Sequence, residues 1–245
     1  MRRKQFIVTV AVLVAASLTS VLHAVETEVL DITEFGARPD SGQDACAAIK
    51  AALAKARSIS KPVRIRFPKG RYDFFKATAK WAHHPVTAVH QQWDHVTPFY
   101  LNSLKDITID GEGSLFMMRG RMTPMILYRC ERINLVNFAI DQEFPTVQEA
   151  TVVDVGKGTV DFRIHRDTRY ILGANGKPIW LDADGQQSEQ PNCWYRHDTS
   201  IDHIYYGNNP FAEATKVEEI KPFLLRCHLP DTGQYRKGLV YGTNR

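Results

Sequence analysis

The sequence lacks the spacings of cysteine and histidine that hold zinc. Its four cysteines lie far apart and form no CxxC pair, and its nine histidines include no HxxxH or HExxH motif. Several histidines are concentrated in one stretch that also contains two tryptophans, but their spacing fits no defined metal site. They are His83, His84, His90 and His95. We therefore expect an exposed loop there, and neither a metal nor another cofactor.

A strong excess of charge of one sign is also missing. The formal net charge is +4, and it falls to +1 without the first 24 residues, which contain Arg2, Arg3 and Lys4. The remaining lysines and arginines are scattered among acidic residues. This distribution excludes the basic surface that nucleic acids and anionic membranes require. We expect neither as a partner.

Long hydrophobic runs are absent except near the N-terminus. There the basic residues 2–4 precede a largely apolar run, residues 6–21, and the small residue Ala24 follows. This order is typical of a signal peptide cleaved after Ala24, and it predicts a periplasmic or secreted protein with no membrane association after cleavage. A transmembrane anchor is the alternative, but the run is short for a bilayer span of about 20 apolar residues.

The four cysteines allow three disulfide pairings, and the sequence does not choose among them. Cys46 and Cys130 lie in segments with an apolar pattern, so we expect them to be buried thiols. Cys193 and Cys227 lie in a later, turn-rich region. They are the better candidates for a disulfide in an exported protein.

One amphipathic helix is predicted close to the start of the mature chain. The turn-forming residues 36–42 precede it, and Ser41 and Asp44 have the spacing of a capping box. Pro62 follows the helix and prevents its continuation. Apolar and charged side chains then alternate over residues 63–67, which predicts a strand. The small or apolar residues of one helical face recur with the period of a helix. They are Ala45, Ala48, Ile49, Ala52, Leu53 and Ala56.

Short strands after residue 100 repeat at a fixed distance. The segments LKDITIDG and CERINL align Ile107 with Ile133 and Ile109 with Leu135, each pair 26 residues apart. A repeat of this length that carries short strands and no helix predicts a solenoid. Its coils would stack their strands in register.

The pattern changes after Pro145. Two strand-like segments, residues 151–155 and 159–164, flank the sequence GKG and predict an antiparallel hairpin. Further short strands follow, separated by turns such as residues 174–177. We therefore predict an antiparallel β module that interrupts the solenoid.

The first half of the sequence resembles the N-terminal cap of pectate-lyase-type β-helices. Those proteins open with an FGA-x-x-D segment, a capping helix and a PxGxY strand end. The corresponding segments here are FGARPDS at 35–41, AIKAAL at 48–53 and FPKGRY at 67–72. Within that class the sequence is similar to family 110 of the glycoside hydrolases. The segments that carry this similarity are LKDITIDGEGS at 104–114, RMTP at 121–124 and NFAID at 137–141.

The resemblance implies a mainly β fold: a right-handed parallel β-helix with an N-terminal capping helix and an inserted antiparallel β module. The implied divisions are a signal peptide, 1–24, the cap and first coils, 25–149, the inserted module, 150–228, and the start of a return to the β-helix, 229–245. A solenoid normally ends in a capping element, and none is evident. We therefore expect the chain to be a truncated, N-terminal portion.

The resemblance also implies an exo-acting hydrolase that removes terminal α-1,3-linked galactose from galactosides. Its mechanism would be inverting, with a carboxylic acid and a carboxylate roughly 6.5–9.5 Å apart. The catalytic acids of that family are expected on coils beyond this chain, so no residue here is matched to them. A polysaccharide lyase and a non-catalytic carbohydrate-binding β-helix are the alternatives.

Asp141 and Glu143 are the candidate catalytic residues within the chain. Residues two apart in an extended segment point to the same face, so both carboxylates could enter one groove as acid and base. The alternative is a solvated turn with ordinary carboxylates. Asp110 is better interpreted as a turn former before Gly111.

Other side chains have a structural interpretation beside a functional one. Arg119 and Arg121 could bind sugar hydroxyls, although a surface position beside a coil is the simpler expectation. Four tryptophans could stack on a sugar ring, although packing in a core or loop is the default for each. They are Trp81, Trp93, Trp180 and Trp194.

Overall fold

The structure, a computed structural model, describes residues 26–83, 94–145, 147–188 and 194–243. The chain is mainly β, with both parallel and antiparallel sheets arranged around two hydrophobic cores. No helix in these ranges is long and apolar enough to cross a membrane. The proposed signal peptide lies outside the described residues, so export stays a prediction.

The first half of the chain surrounds the first core. Its elements, in chain order, are β1 (Glu28–Asp31), a 3₁₀ helix (Ile32–Phe35), α1 (Cys46–Arg57), β2 (Val63–Arg66), β3 (Arg71–Phe75), β4 (Lys80–His83), β5 (Asp94–Thr97), β6 (Phe99–Asn102), β7 (Lys105–Arg119), β8 (Met125–Tyr128) and β9 (Glu131–Gln142).

Four of these strands lie side by side in one parallel sheet, in the order β1, β2, β7, β9. Ile107 of β7 pairs with Ile133 of β9, and Ile109 pairs with Leu135, which confirms the alignment predicted from the 26-residue repeat. Strands β6 and β8 stack in parallel with the same spacing, Phe99 opposite Met125. The repeat in sequence is therefore a repeat in space.

Strand β7 continues past a change of register and pairs with β3 in its second half. The change lies between Asp110 and Ser114. A side chain at Gly111 would place its Cβ 2.5 Å from the Cβ of Phe138 and 2.7 Å from the carbonyl oxygen of Asn137. Glycine is required there because the neighbouring strand passes so close.

Helix α1 buries the face that its periodicity predicts. The predicted residues Ala45, Ala48, Ile49, Ala52, Leu53 and Ala56 are all buried. Within this first core, Phe116 stacks between Phe99 and Phe138, with ring centroids 5.3 and 4.7 Å away. The helix and the stacked strands thus pack together around the first core.

The predicted capping box of α1 is wrong. The N-cap residue is Ala45, and no side chain caps it. The Ser41 hydroxyl instead donates to the carbonyl of Arg38, and the Asp44 carboxylate accepts from the amides of Cys46, at 3.0 Å, and Phe75, at 3.2 Å. Asp44 is drawn toward β3 because its backbone bridges to that strand.

The second half of the chain surrounds the second core. Its elements are β10 (Glu149–Gly156), β11 (Thr159–Ile164), β12 (Arg169–Leu172), β13 (Pro178–Leu181), β14 (Gln187–Ser188), β15 (Trp194–Asp198), β16 (His203–Gly207), α2 (Pro210–Glu213), β17 (Lys216–Lys221), β18 (Leu224–His228) and β19 (Val240–Thr243).

Seven of these strands form one antiparallel sheet, in the order β16, β15, β19, β10, β11, β18, β17. Strands β10 and β11 are the predicted hairpin around GKG. Strands β12, β13 and β14 form a smaller antiparallel sheet. The second half is thus built from short antiparallel strands.

Residues 229–243 belong to this antiparallel half, whereas the sequence predicted that they begin a return to the solenoid. Strand β19 inserts between β15 and β10. Leu229, Tyr235, Leu239 and Tyr241 are buried in the second core, so burial of apolar side chains holds the segment there.

The thiols differ in burial. Cys46 is buried, its thiol donates to the carbonyl of Phe75 at 3.5 Å, and burial raises its pKa to about 12. Cys130 is only half-buried. Cys227 is a free thiol inside the second core, and burial raises its pKa. Cys193 lies outside the described residues.

Candidate functional site

Three adjoining cavities surround the loop of residues 165–168, which connects β11 to β12. They have volumes of about 500, 570 and 580 Å³, and this loop contributes to the wall of each. The loop is held by its backbone: the amide of His165 donates to the carbonyl of Glu149 at 3.2 Å, and the amide of Thr168 donates to the carbonyl of His165 at 2.9 Å. We call the first of these cavities the groove.

The groove runs between the end of β9 and the start of β10. Its polar residues are Asp141, Gln142, Glu149, His165, Asp167 and Thr168, and its apolar residues are Pro124, Ile140, Pro145 and Val147. The parallel sheet supplies one wall and the antiparallel half supplies the other, so both halves of the chain meet at this site.

Three carboxylates of the groove come from separate elements. Asp141 lies near the end of β9 and accepts from the amide of Gln142 at 2.8 Å. Glu149 begins β10, and Asp167 lies in the 165–168 loop with its carboxylate 3.7 Å from Nδ1 of His165. The sequence placed only the first of the three in a site.

The structure does not bring Glu143 together with Asp141. Strand β9 ends at Gln142, and the side chain of Glu143 forms an ion pair with Arg119. Glu143 lines the neighbouring cavity of about 570 Å³, not the groove. The strand ends between the two residues and they line different cavities, so a catalytic role for either residue stays a prediction.

Arg119 is a partly buried ion-pairing residue, whose side chain is 22% exposed. Its guanidinium contacts the fully buried carboxylate of Asp73 at 2.8 and 2.7 Å, besides its contact with Glu143. The guanidinium of Arg71 contacts the other oxygen of Asp73 at 3.1 Å. A buried carboxylate is thus compensated by two arginines, as burial of a charge requires.

Asp110, interpreted from the sequence as a turn former before Gly111, lies within β7 at its change of register. It is buried and accepts from the amide of Glu112 at 2.9 Å and the side chain of Asn137 at 3.1 Å. Burial raises its pKa, but these hydrogen bonds and the Arg64 guanidinium outweigh burial, so the pKa lies below its ordinary value. Arg121 is exposed, and its amide donates to Asp184.

Two of the four tryptophans are core residues. Trp180 and Trp194 are buried, with ring centroids 6.1 Å apart, so neither offers a free face. Trp81 on β4 is 65% exposed. Trp93 lies outside the described residues.

The crowded histidines do not gather into a metal site where they are described. His83 pairs with Asp94 at 2.6 Å, and Nδ1 of His95 lies 3.4 Å from the Thr123 hydroxyl. His84 and His90 lie outside the described residues. In the described ranges, no three His, Cys, Asp or Glu side chains are grouped so that they could hold a metal ion.

The groove has the chemical character of a sugar site. Carboxylates accept hydrogen bonds from hydroxyl groups, and an imidazole can donate or accept. The apolar residues offer surface to the C–H faces of a pyranose ring, as in most small-molecule sites. The lining of the groove is therefore chemically suited to a neutral polyol.

Glu149, His165 and Asp167 are the site residues that the sequence did not reveal. Glu149 is the first residue of β10, and His165 and Asp167 lie in the loop after β11, positions where polar residues are ordinary. A signal did exist, because His165, Arg166 and Asp167 follow a strand directly. Nothing in the sequence showed that this turn faces the end of β9.

Comparison with known proteins identifies relatives for most of the chain. No protein-family model matches it. The alpha-1,3-galactosidase A of Bacteroides fragilis is 31% identical over 214 residues, which is 85% of this chain and 35% of that protein. The alpha-1,3-galactosidase A of Shewanella woodyi is 34% identical over 236 residues, or 92% and 38%.

The alpha-1,3-galactosidase B of Bacteroides thetaiotaomicron is 27% identical over 224 residues, or 89% of this chain and 35% of that protein. The chain thus spans about a third of the length of the curated relatives that it matches. By sequence, this chain is related over most of its length to proteins named alpha-1,3-galactosidase, in agreement with the resemblance to family 110 of the glycoside hydrolases.

Proposed function

We propose that the chain is part of an exported glycoside hydrolase that removes terminal α-1,3-linked galactose, and that its groove binds the galactoside. The observation that carries this proposal is the similarity of at least 85% of the chain to proteins named alpha-1,3-galactosidase. The groove supports it independently, because its carboxylates and apolar wall suit a sugar.

The scaffold that we propose is a right-handed parallel β-helix. The stacked rows of β1, β2, β7 and β9 support it. Exposure on β9 supports it too. Leu135 is 38% and Ile140 is 40% exposed, whereas their partners on β7, Ile109 and Phe116, are fully buried. A further coil stacked on β9 would bury these side chains.

In the proposed mechanism the hydrolysis is inverting. One carboxylic acid protonates the leaving oxygen and one carboxylate activates water. Because the chain spans about a third of its relatives, we propose that further coils supply this pair and that the groove holds the sugar. Asp141, Glu149 and Asp167 would then accept hydrogen bonds from its hydroxyl groups.

The test measures galactose release and sugar binding by the full chain. We expect no robust hydrolysis of an α-1,3-galactoside by the chain alone, but measurable binding without added calcium. Asp141→Asn and Glu149→Gln should each weaken binding by roughly tenfold or more, because a hydrogen bond to a charged group contributes about 1.5–3 kcal/mol. Isothermal titration calorimetry measures the change.

Glu131→Gln is the matched control. Glu131 is an exposed carboxylate at the opposite end of β9, paired with Lys105 at 2.8 Å, so its loss should leave sugar binding unchanged. Robust galactose release by the chain alone would contradict the proposal that further coils supply the catalytic pair. Calcium-dependent formation of an unsaturated product would instead identify a lyase.

A further inference from the structure

A row of four residues crosses the antiparallel sheet from its edge to the groove. Tyr206 of β16 pairs with Tyr195 of β15, Tyr195 pairs with Gly242 of β19, and Gly242 pairs with Glu149 of β10. Residues directly opposite each other in antiparallel strands project to the same face. We call this set the tyrosine row, and its last member, Glu149, lines the groove.

The tyrosine row lies on the outer face of the sheet. Glu149 is the first residue of β10, and the alternate residues Ala150 and Val152 that follow it are buried in the second core. Trp194, which precedes Tyr195, is buried in the same core. The row therefore projects away from the core and toward solvent.

The ring of Tyr195 lies across the backbone of Gly242. A Cβ at Gly242 would be 2.5 Å from Cζ and 2.6 Å from the hydroxyl oxygen of Tyr195, so only glycine leaves room for the ring. Burial, and then the nearby Glu149 carboxylate, raise the pKa of Tyr195. The ring is thus laid along the row, with its hydroxyl toward the groove.

Tyr206 is 91% exposed at the other end of the row, and its neighbour Ile204 is 61% exposed. The alternate residue Tyr205 faces the other side of the strand, where its ring lies 5.0 Å from the guanidinium carbon of Arg196. An exposed tyrosine ring offers an apolar face beside a hydroxyl. This is the combination on which the C–H face of a pyranose packs.

We infer that the tyrosine row extends the groove and binds the sugar units that follow the terminal galactose of an oligosaccharide. The inference rests on the proposed function for the identity of that terminal sugar. Neighbouring strands lie about 4.8 Å apart, close to the length of one pyranose unit, so each step along the row accommodates about one sugar. Tyr195 contacts the second unit and Tyr206 contacts a unit farther along.

The test compares ligands of increasing length, all ending in α-1,3-linked galactose, by calorimetry on the full chain. Tyr195→Ala should weaken binding of both a disaccharide and a tetrasaccharide by roughly fivefold to tenfold, the size of one stacking contact. Tyr206→Ala should weaken binding of the tetrasaccharide alone by a similar factor. Neither should change binding of methyl α-galactopyranoside, which occupies the groove only.

Two further variants separate stacking from other effects. Tyr195→Phe retains the ring and should retain most of the affinity. Tyr205→Ala removes a tyrosine from β16, the strand of Tyr206, but from its opposite face. It should leave the affinity for every ligand unchanged. Circular dichroism of each variant checks that the sheet is intact.

Each outcome decides the inference. Wild-type tetrasaccharide affinity in Tyr195→Ala and Tyr206→Ala would overturn it, and the proposed function would stand if Asp141→Asn still weakens binding. Equal, tyrosine-dependent binding of a tetrasaccharide ending in glucose would support the row and contradict galactose specificity. A change in sedimentation of Tyr206→Ala with unaltered glycan affinity would assign the face to a second copy of the chain and overturn the inference.

Discussion

At the scale of single residues, the buried carboxylate of Asp73 needs compensating positive charge in the first core. It has no exposed surface and is held by Arg71 and Arg119. Removing one partner of a buried ion pair leaves a charge without compensation. Arg119 also reaches Glu143, so the same residue connects the core to the wall of the neighbouring cavity.

Arg119→Met should therefore lower the free energy of unfolding by about 2–4 kcal/mol, with Arg71 retaining part of the compensation. Urea denaturation measures the change. Arg38→Met, at an exposed arginine, should cost less than about 0.5 kcal/mol. Equal costs for the two variants would show that Asp73 does not depend on Arg119.

At the scale of elements, the passage of β9 over β7 depends on Gly111. The backbone of residues 137–138 approaches Gly111 so closely that a methyl group has no space. Gly111→Ala must shift one strand against the other. We expect a loss of about 2–3 kcal/mol in the free energy of unfolding, the usual cost of overpacking.

Gly207→Ala is the control for this change. Gly207 also lies in a strand, but a Cβ there would meet its nearest atom at 3.5 Å, which is an ordinary contact. We expect a change within about 0.5 kcal/mol. Thermal unfolding of both variants makes the comparison, and an unaltered Gly111→Ala would mean that the two strands can separate at no cost.

At the scale of the whole molecule, Asp184 joins the two halves of the chain. Its carboxylate pairs with Lys76 and accepts from the amide of Arg121, both of which lie in the first half. Burial raises the pKa of Asp184, but the contacts with Lys76 and Arg121 lower it more, so the pKa lies below its ordinary 3.8. The connection is therefore electrostatic in part.

Because that pKa is depressed in the folded chain, the stabilisation is present above the pKa of the unfolded carboxyl and is lost as the pH falls below it. Asp184→Asn should lower the free energy of unfolding by about 1 kcal/mol at neutral pH, allowing for solvent screening. At about pH 3 the difference in this free energy between the variant and wild type should be smaller. Urea denaturation of the variant and wild type at the two pH values measures the difference. Asp231→Asn, at an exposed loop carboxylate, should cost less than about 0.5 kcal/mol at either pH.

The local patterns of the sequence predicted much of the fold. The apolar face of α1, the alignment of Ile107 with Ile133 and the β10–β11 hairpin all follow from periodicity and turn residues. Each depends on contacts between residues close in sequence or one repeat apart. The capping box failed because Asp44 is drawn to β3, a contact with a distant segment.

What the sequence by itself determined is the buried face of α1, the alignment of the 26-residue repeat and the β10–β11 hairpin, since helical and strand periodicity record which face of an element is buried. Only the tertiary structure decided that Glu143 pairs with Arg119, that β19 enters the antiparallel sheet, and that the 165–168 loop faces Asp141. These contacts join segments far apart along the chain. No local pattern records them, because they arise from the packing of complete sheets.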